Sequence, residues 1–199
     1  MSASPRPAVR VVAALAALAL VAPAARAQNA AAVAQVPNTI EIGADAGATF
    51  GLGDVSSINV DLPAQRARVG FFLNNDSRLS VEPAVGLSYN KFEGQPGQSA
   101  YLIETGLLYH FRPARLITDV ANRAAVAYAR PFVGFTGVSL GGDTPNENEF
   151  FAGAGIGIKV PYRTNIAFRA EANLGYGFDN EAARVGLNLG LSFFTRRDR

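Results

Sequence analysis

The sequence predicts an all-β fold, a single eight-stranded antiparallel up-and-down barrel, and three observations carry that expectation. From Thr39 to Phe194 apolar and polar residues alternate with period two, the mark of strands whose faces meet different surroundings. The alternating runs are separated by clusters of Gly, Asn, Asp and Pro that suit turns. The composition is 49% hydrophobic and 17% charged, with 20 Gly, 13 Phe, 6 Tyr, no Cys and one His, whereas about 25% charged is usual for a soluble domain.

The first 27 residues stand outside that fold. Arg6 and Arg10 form a positive region, Val11 to Val21 is an unbroken apolar run, and Ala25-Arg26-Ala27 is an A-x-A cleavage pattern. Residues 1–27 therefore read as a secretory signal peptide. The apolar run is too short to cross the roughly 30 Å of a bilayer core as a helix. Its removal takes away Arg6, Arg10 and Arg26 and no acid, so the net charge falls from +2 to −1. The basic pI of 9.1 belongs largely to the leader, and nucleic acid is not expected as a partner. Residues 28–38 read as a short polar lead-in ending at a proline turn.

Each strand is then read from its own alternation. In 39–50, Ile40, Ile42, Ala44, Ala46, Ala48 and Phe50 oppose Glu41, Gly43, Asp45, Gly47 and Thr49. The second, 60–73, is less regular, with Ala67, Val69, Phe71 and Leu73 against Arg66, Arg68, Gly70 and Phe72. In 79–91, Val81, Val85, Leu87 and Tyr89 oppose Ser80, Glu82, Ala84 and Gly86. In 99–111, Tyr101, Ile103, Leu107, Tyr109 and Phe111 oppose Leu102, Glu104, Gly106 and His110. The fifth, 129–140, has mixed faces from Pro131 to Leu140, which predicts a bulge or register change. In 149–160, Phe150, Ala152, Ala154, Ile156 and Ile158 oppose Gly153, Gly155, Gly157 and Lys159. In 166–178, Ile166, Phe168, Ala170, Ala172, Leu174 and Tyr176 oppose Arg169, Glu171, Asn173 and Gly175. The last, 183–194, sets Val185, Leu187, Leu189, Leu191 and Phe193 against Gly186, Asn188, Gly190, Ser192 and Phe194. The long connection 112–128 carries Leu116, Ile117, Val120 and Val126 at roughly helical spacing and has room for a helical turn.

The apolar face of these strands is expected to point outward into lipid. The opposite face is mostly Gly, Ala, Ser and Asn with scattered charges, a set that suits the crowded interior of a small barrel better than a water-exposed exterior. Aromatics gather near strand ends, as in interfacial girdles. A signal peptide with no helical span leaves a closed transmembrane barrel as the way to occupy a bilayer. The inward charges are then Glu41, Asp45, Glu82, Glu104 and Glu171 against Arg66, Arg68, Lys159 and Arg169. They read as a salt-bridged network filling the lumen, the alternative being a polar ion path.

On this pattern, over about 39–194 and with the leader, the chain resembles the small eight-stranded outer-membrane barrels of the OmpA/OmpX type. Leu191-Ser192-Phe193-Phe194 is similar to the terminal aromatic element read by the barrel-assembly machinery in that family, although residues 195–199 (TRRDR) follow it as a basic tail. The resemblance implies the cell outer membrane as location, and lipids, lipopolysaccharide and the assembly machinery as partners of a monomer. It also implies a structural, envelope-integrity or surface-contact role. Alternatives are a narrow channel, a lipid-modifying enzyme and a soluble periplasmic ligand-binding barrel.

With the N-terminus starting in the periplasm, as in the family, the outer connections carry Asp54, Asp61, Glu93, Asp143, Glu147, Glu149, Asp179 and Glu181 against Lys91 and Arg184. The periplasmic side carries Arg78, Arg112, Arg115, Arg123, Arg130, Arg163, Arg196, Arg197 and Arg199 against Asp76, Asp119 and Asp198. No charge is left for the lipid face.

Some barrels of the family are lipid A deacylases with a His/Ser/Glu site. His110 here has no companion serine at a recognisable spacing, so no catalytic residue is assigned. Without cysteine and with one histidine, no metal site or cofactor is expected.

Overall fold

The computed structural model describes residues 40–52, 58–73, 77–90, 98–139, 147–179 and 181–195. The signal-peptide reading of 1–27, the lead-in 28–38 and the tail beyond Thr195 lie outside the described residues. Eight strands run in chain order: β1 (Ile40–Leu52), β2 (Ile58–Phe72), β3 (Leu79–Asn90), β4 (Gln98–His110), β5 (Val126–Ser139), β6 (Glu147–Arg163), β7 (Ile166–Gly177) and β8 (Ala183–Phe194). Each pairs antiparallel with the next, and β1 pairs with β8 from Glu41↔Phe194 to Leu52↔Ala183, closing the barrel. The seam is clasped by Thr195, whose N–H donates to the Ile40 carbonyl at 2.9 Å and whose Oγ1 accepts from the Ile40 N–H at 3.0 Å.

Strands of 12 to 17 residues exceed the roughly 9–11 that a tilted strand needs to span a bilayer. Among the described residues no helix is long and apolar enough to cross a membrane. Period two sorts the side chains as lipid and lumen would require. Outward, Ile42, Leu87, Ile156 and Leu189 are 50–81% exposed, while inward Glu41, Arg68 and Lys159 are at most 1% exposed. A water-soluble barrel would show the reverse. Exposed aromatics gather at the two ends: Phe71, Tyr109, Phe111, Tyr162, Phe168 and Phe193 near the chain termini, Tyr89, Phe135, Phe150 and Phe178 at the far end.

The strand expected to be irregular is regular. β5 keeps one register against both neighbours, unbroken from Val126↔Lys159 to Val138↔Glu147 on the β6 side and skipping only Leu107 and Leu108, opposite Pro131 and Arg130, on the β4 side. Its faces look mixed from Pro131 onward because the inward Phe132 is itself large and buried. The register shifts lie elsewhere, between Asp45 and Gly47 on β1 and between Pro161 and Arg163 on β6. Tyr176 also departs from expectation. It is 7% exposed, packed edge-on to Phe178 with centroids 5.5 Å apart, rather than facing outward with Leu174.

The connection between β4 and β5 folds into the barrel mouth at the terminal end. A 3₁₀ turn, Ala114–Ile117, brings Ala114 and Ile117 against the inward side chains Phe72, Val126, Ala167 and Phe194 to form one buried apolar cluster. The Ala114 N–H donates to the Ser77 carbonyl at 2.9 Å. Ser77 offers that carbonyl from the left-handed region, φ 55°. The apolar run anticipated at helical spacing is thus a plug of one short turn.

Candidate functional site: a charged belt inside the barrel

Above the plug lies a belt of ionised side chains, and seven strands contribute to it. β1 gives Glu41 and Asp45, β2 Arg66 and Arg68, β3 Glu82, β4 Glu104, β5 Arg130, β6 Lys159, and β7 Arg169 and Glu171. β8 adds Ser192, whose hydroxyl accepts from Arg68 at 2.8 Å. Each carboxylate bridges at least two cations. Glu41 takes Arg68 at 2.6 Å and Lys159. Asp45 takes Arg66 at 2.7 Å and Arg68 at 3.0 Å. Glu82 takes Arg169 at 2.6 Å and Arg68 at 3.3 Å. Glu104 takes Arg66 at 2.6 Å and Arg130 at 2.9 Å. Glu171 takes Arg169 at 2.5 Å and Arg130 at 2.8 Å.

Four of the five cations are arginines, whose planar fork can serve two carboxylates from one side chain. Buried charges survive desolvation only when paired and hydrogen-bonded in this way. The belt needs close inward glycines. A Cβ at Gly106 would lie 2.8 Å from Arg130 Nη1, and one at Gly43, Gly157 or Gly190 would collide with Arg68, Tyr128 or Asp45.

The structure places all nine lumen residues expected from the sequence in this belt and adds Arg130, which the sequence pattern puts on the periplasmic rim. Arg130 is 1% exposed and its guanidinium lies 4.6 Å over the Phe132 ring. Its inclusion makes the belt five acids against five bases. Tyr128 joins them, donating to Glu171 at 2.8 Å and accepting from Arg169 Nε at 2.6 Å. The missed signal is the alternation Val126, Tyr128, Arg130, Phe132, visible once the strand is started three residues earlier.

His110 is fully buried between the plug and the belt, its ring 5.7 Å from Phe72 and 5.9 Å from Tyr128. Nδ1 faces the Arg78 carbonyl at 3.2 Å and Nε2 faces Lys159 Nζ at 3.3 Å. A neutral ring protonated at Nδ1 satisfies both neighbours. Both nitrogens are thereby occupied in structural contacts.

Towards the far end the lumen opens into a cavity of about 170 Å³. Its floor is Arg66, Glu104 and Arg130, and its wall includes Thr49, Phe151, Asn173 and Asn188. The Asn173 and Asn188 amides find no hydrogen-bonding partner among the described residues, whereas in the belt below Glu82 Oε1 is the buried carboxylate oxygen left without one. Glu149 and Arg184 pair at the rim. Among the described residues no three His, Asp or Glu side chains converge as a metal site requires.

No family model matches the sequence, and no curated protein matches it. Solved structures do. The N-terminal β-barrel domain of Pseudomonas aeruginosa OprF superposes with a TM-score of 0.51 at 18% identity, over 79% of this chain and 98% of that one. Neisserial surface protein A gives 0.53 at 16% identity, over 77% of this chain and 96% of that one. At these identities the likeness is one of fold: this chain has the architecture of the small eight-stranded outer-membrane barrels.

Proposed function

We propose that this chain is an integral outer-membrane barrel with a sealed lumen and a non-enzymatic role in the envelope, as a structural element or a surface contact. The observation that carries the reading is the sorting of charge. Among the described residues the outward strand faces hold no ionised side chain between the two aromatic girdles, while ten lie inside in compensating contacts. One Arg or Lys at the lipid-facing midplane costs about 2–4 kcal/mol, so an uncharged outer band is what a bilayer demands. The terminal end then faces the periplasm. Lipids and lipopolysaccharide are its surroundings, the assembly machinery acts on β8 and its outward Phe193, and the working unit is a monomer.

The far-end cavity favours a second reading, a narrow channel. Against it stand the belt and the plug, which close the lumen below the cavity with side chains that are buried and mutually bonded. Cell fractionation combined with gel mobility before and after heating tests the main reading. The expected result is recovery with outer membranes, release only by detergent, and a mobility change on heating. Release by salt or osmotic shock alone would point to the soluble barrel and defeat the proposal.

A further inference from the structure

On the outward face of β5–β8, small and large side chains alternate from strand to strand. The register sets Ala127 beside Ile158, Ile158 beside Ala170, and Ala170 beside Leu189. Two residues along each strand the order repeats, as Ala129, Ile156, Ala172 and Leu187. The isoleucines of β6 and the leucines of β8 therefore stand as ridges, and the alanines of β7 lie low between them. Across β3 and β4 the outward rows are filled instead: Val81 faces Leu107, Val85 faces Ile103, and Leu87 faces Tyr101.

The low ground is part of a groove of about 570 Å³ on the barrel exterior. It begins at Phe111 of the terminal girdle, whose N–H donates to the Ala127 carbonyl at 3.0 Å. It crosses the strands past Ile158, Ala170 and Ala172 and ends at Leu187 and Leu189, in the middle of β8. Their chain neighbours on the inward face, Tyr128, Gly157, Glu171 and Asn188, complete the lining.

Lipid tails are as apolar as leucine, so in a bilayer no hydrophobic gain distinguishes one apolar surface from another. Packing does. A groove floored by alanine and walled by isoleucine and leucine touches a chain on three sides, where a filled face touches it on one. Twelve residues line the groove, against the roughly 20–30 that each side of a standard protein interface supplies. That is the size of a chain and too little for a second barrel. The course from the girdle into the apolar band is the one an acyl chain takes when its headgroup stays at the interface.

We infer that this groove holds one acyl chain of a phospholipid from the leaflet at the terminal end, and that this lipid stays with the barrel while its neighbours exchange. The inference rests on the membrane reading above and adds to it a resident lipid fixed to β5–β8.

Native mass spectrometry of the full chain, reconstituted in vesicles of equimolar phosphatidylethanolamine and lipid A and then extracted into a non-ionic detergent, tests the groove. Wild type is expected to keep one phosphatidylethanolamine per barrel. A170L/A172L, which fills the floor, and A127F, which blocks the entrance beside Phe111, should each keep none. V85L, on the filled β3–β4 face, should keep the lipid as wild type does. Heat-modifiable mobility confirms that each variant is a folded barrel, and if one groove variant does not fold the other carries the test. A folded wild type that emerges without phospholipid would overturn the site and leave the barrel reading intact. Retention unchanged in the folded groove variants, equal loss in V85L, or retention of lipid A instead would also overturn it. Failure of the wild type to insert into the vesicles would instead count against the membrane reading.

Discussion

The two halves of the lumen are built on opposite terms. At the terminal end the inward side chains are packed or paired: the plug is apolar, and the belt above it pairs five carboxylates with five cations at mostly 2.5–3.3 Å, leaving Glu82 Oε1 without a partner. At the far end the wall mixes Thr49, Asn173 and Asn188 with Leu102 and Phe151 around an open cavity. The same eight strands and the same small-residue inner face support both. The difference is where side chains large enough to reach across the lumen are placed. Stability is therefore concentrated in the terminal half, and the far half is the part free to vary.

Substitutions can break that contrast at graded strength. Arg169→Met leaves Glu82 with Arg68 alone and Glu171 with Arg130, and removes a donor to Tyr128. Removing one partner from a buried ionic network leaves its charge uncompensated and costs about 3–5 kcal/mol, read as a fall in the urea midpoint of the vesicle-embedded barrel. A midpoint unchanged from wild type would show that the belt is solvated rather than sealed. Ile117→Ala hollows the plug at a fully buried position, with an expected loss of about 2–5 kcal/mol and faster amide exchange at the terminal strand ends. If the plug is loosely docked, the loss shrinks towards zero. Thr195→Val removes a hydroxyl contact to Ile40 at the seam, about 0.5–1.5 kcal/mol in the same assay. Asn188→Ala, in the open half, should stay within about 0.5 kcal/mol of wild type. A large loss there would erase the distinction between the halves.

How much of this was legible in the sequence follows from what each residue must satisfy alone. Residues such as Leu187, Leu189 and Leu191 report an outward face by parity, with no knowledge of their neighbours. The nine inward charges were readable on the same ground. Arg130 is not, because a strand begun at Ala129 leaves the alternation of Val126 and Tyr128 in the preceding connection. Inward residues of β5 are bulky because they build the plug and floor the cavity, and that purpose exists only once β4, β6 and the 3₁₀ turn are in place. Cross-strand register decides which carboxylate meets which guanidinium, and periodicity carries no register. Thr195 is a comparable case. Read as the first residue of a basic tail, it proves to be the clasp of the β1–β8 seam.

The central claim, a membrane-spanning barrel sealed at its terminal half, is tested most directly by single-channel recording of the purified chain in a planar bilayer. The account predicts insertion without a steady open current at any moderate voltage. A stable ohmic conductance carried by the unmodified protein would contradict it.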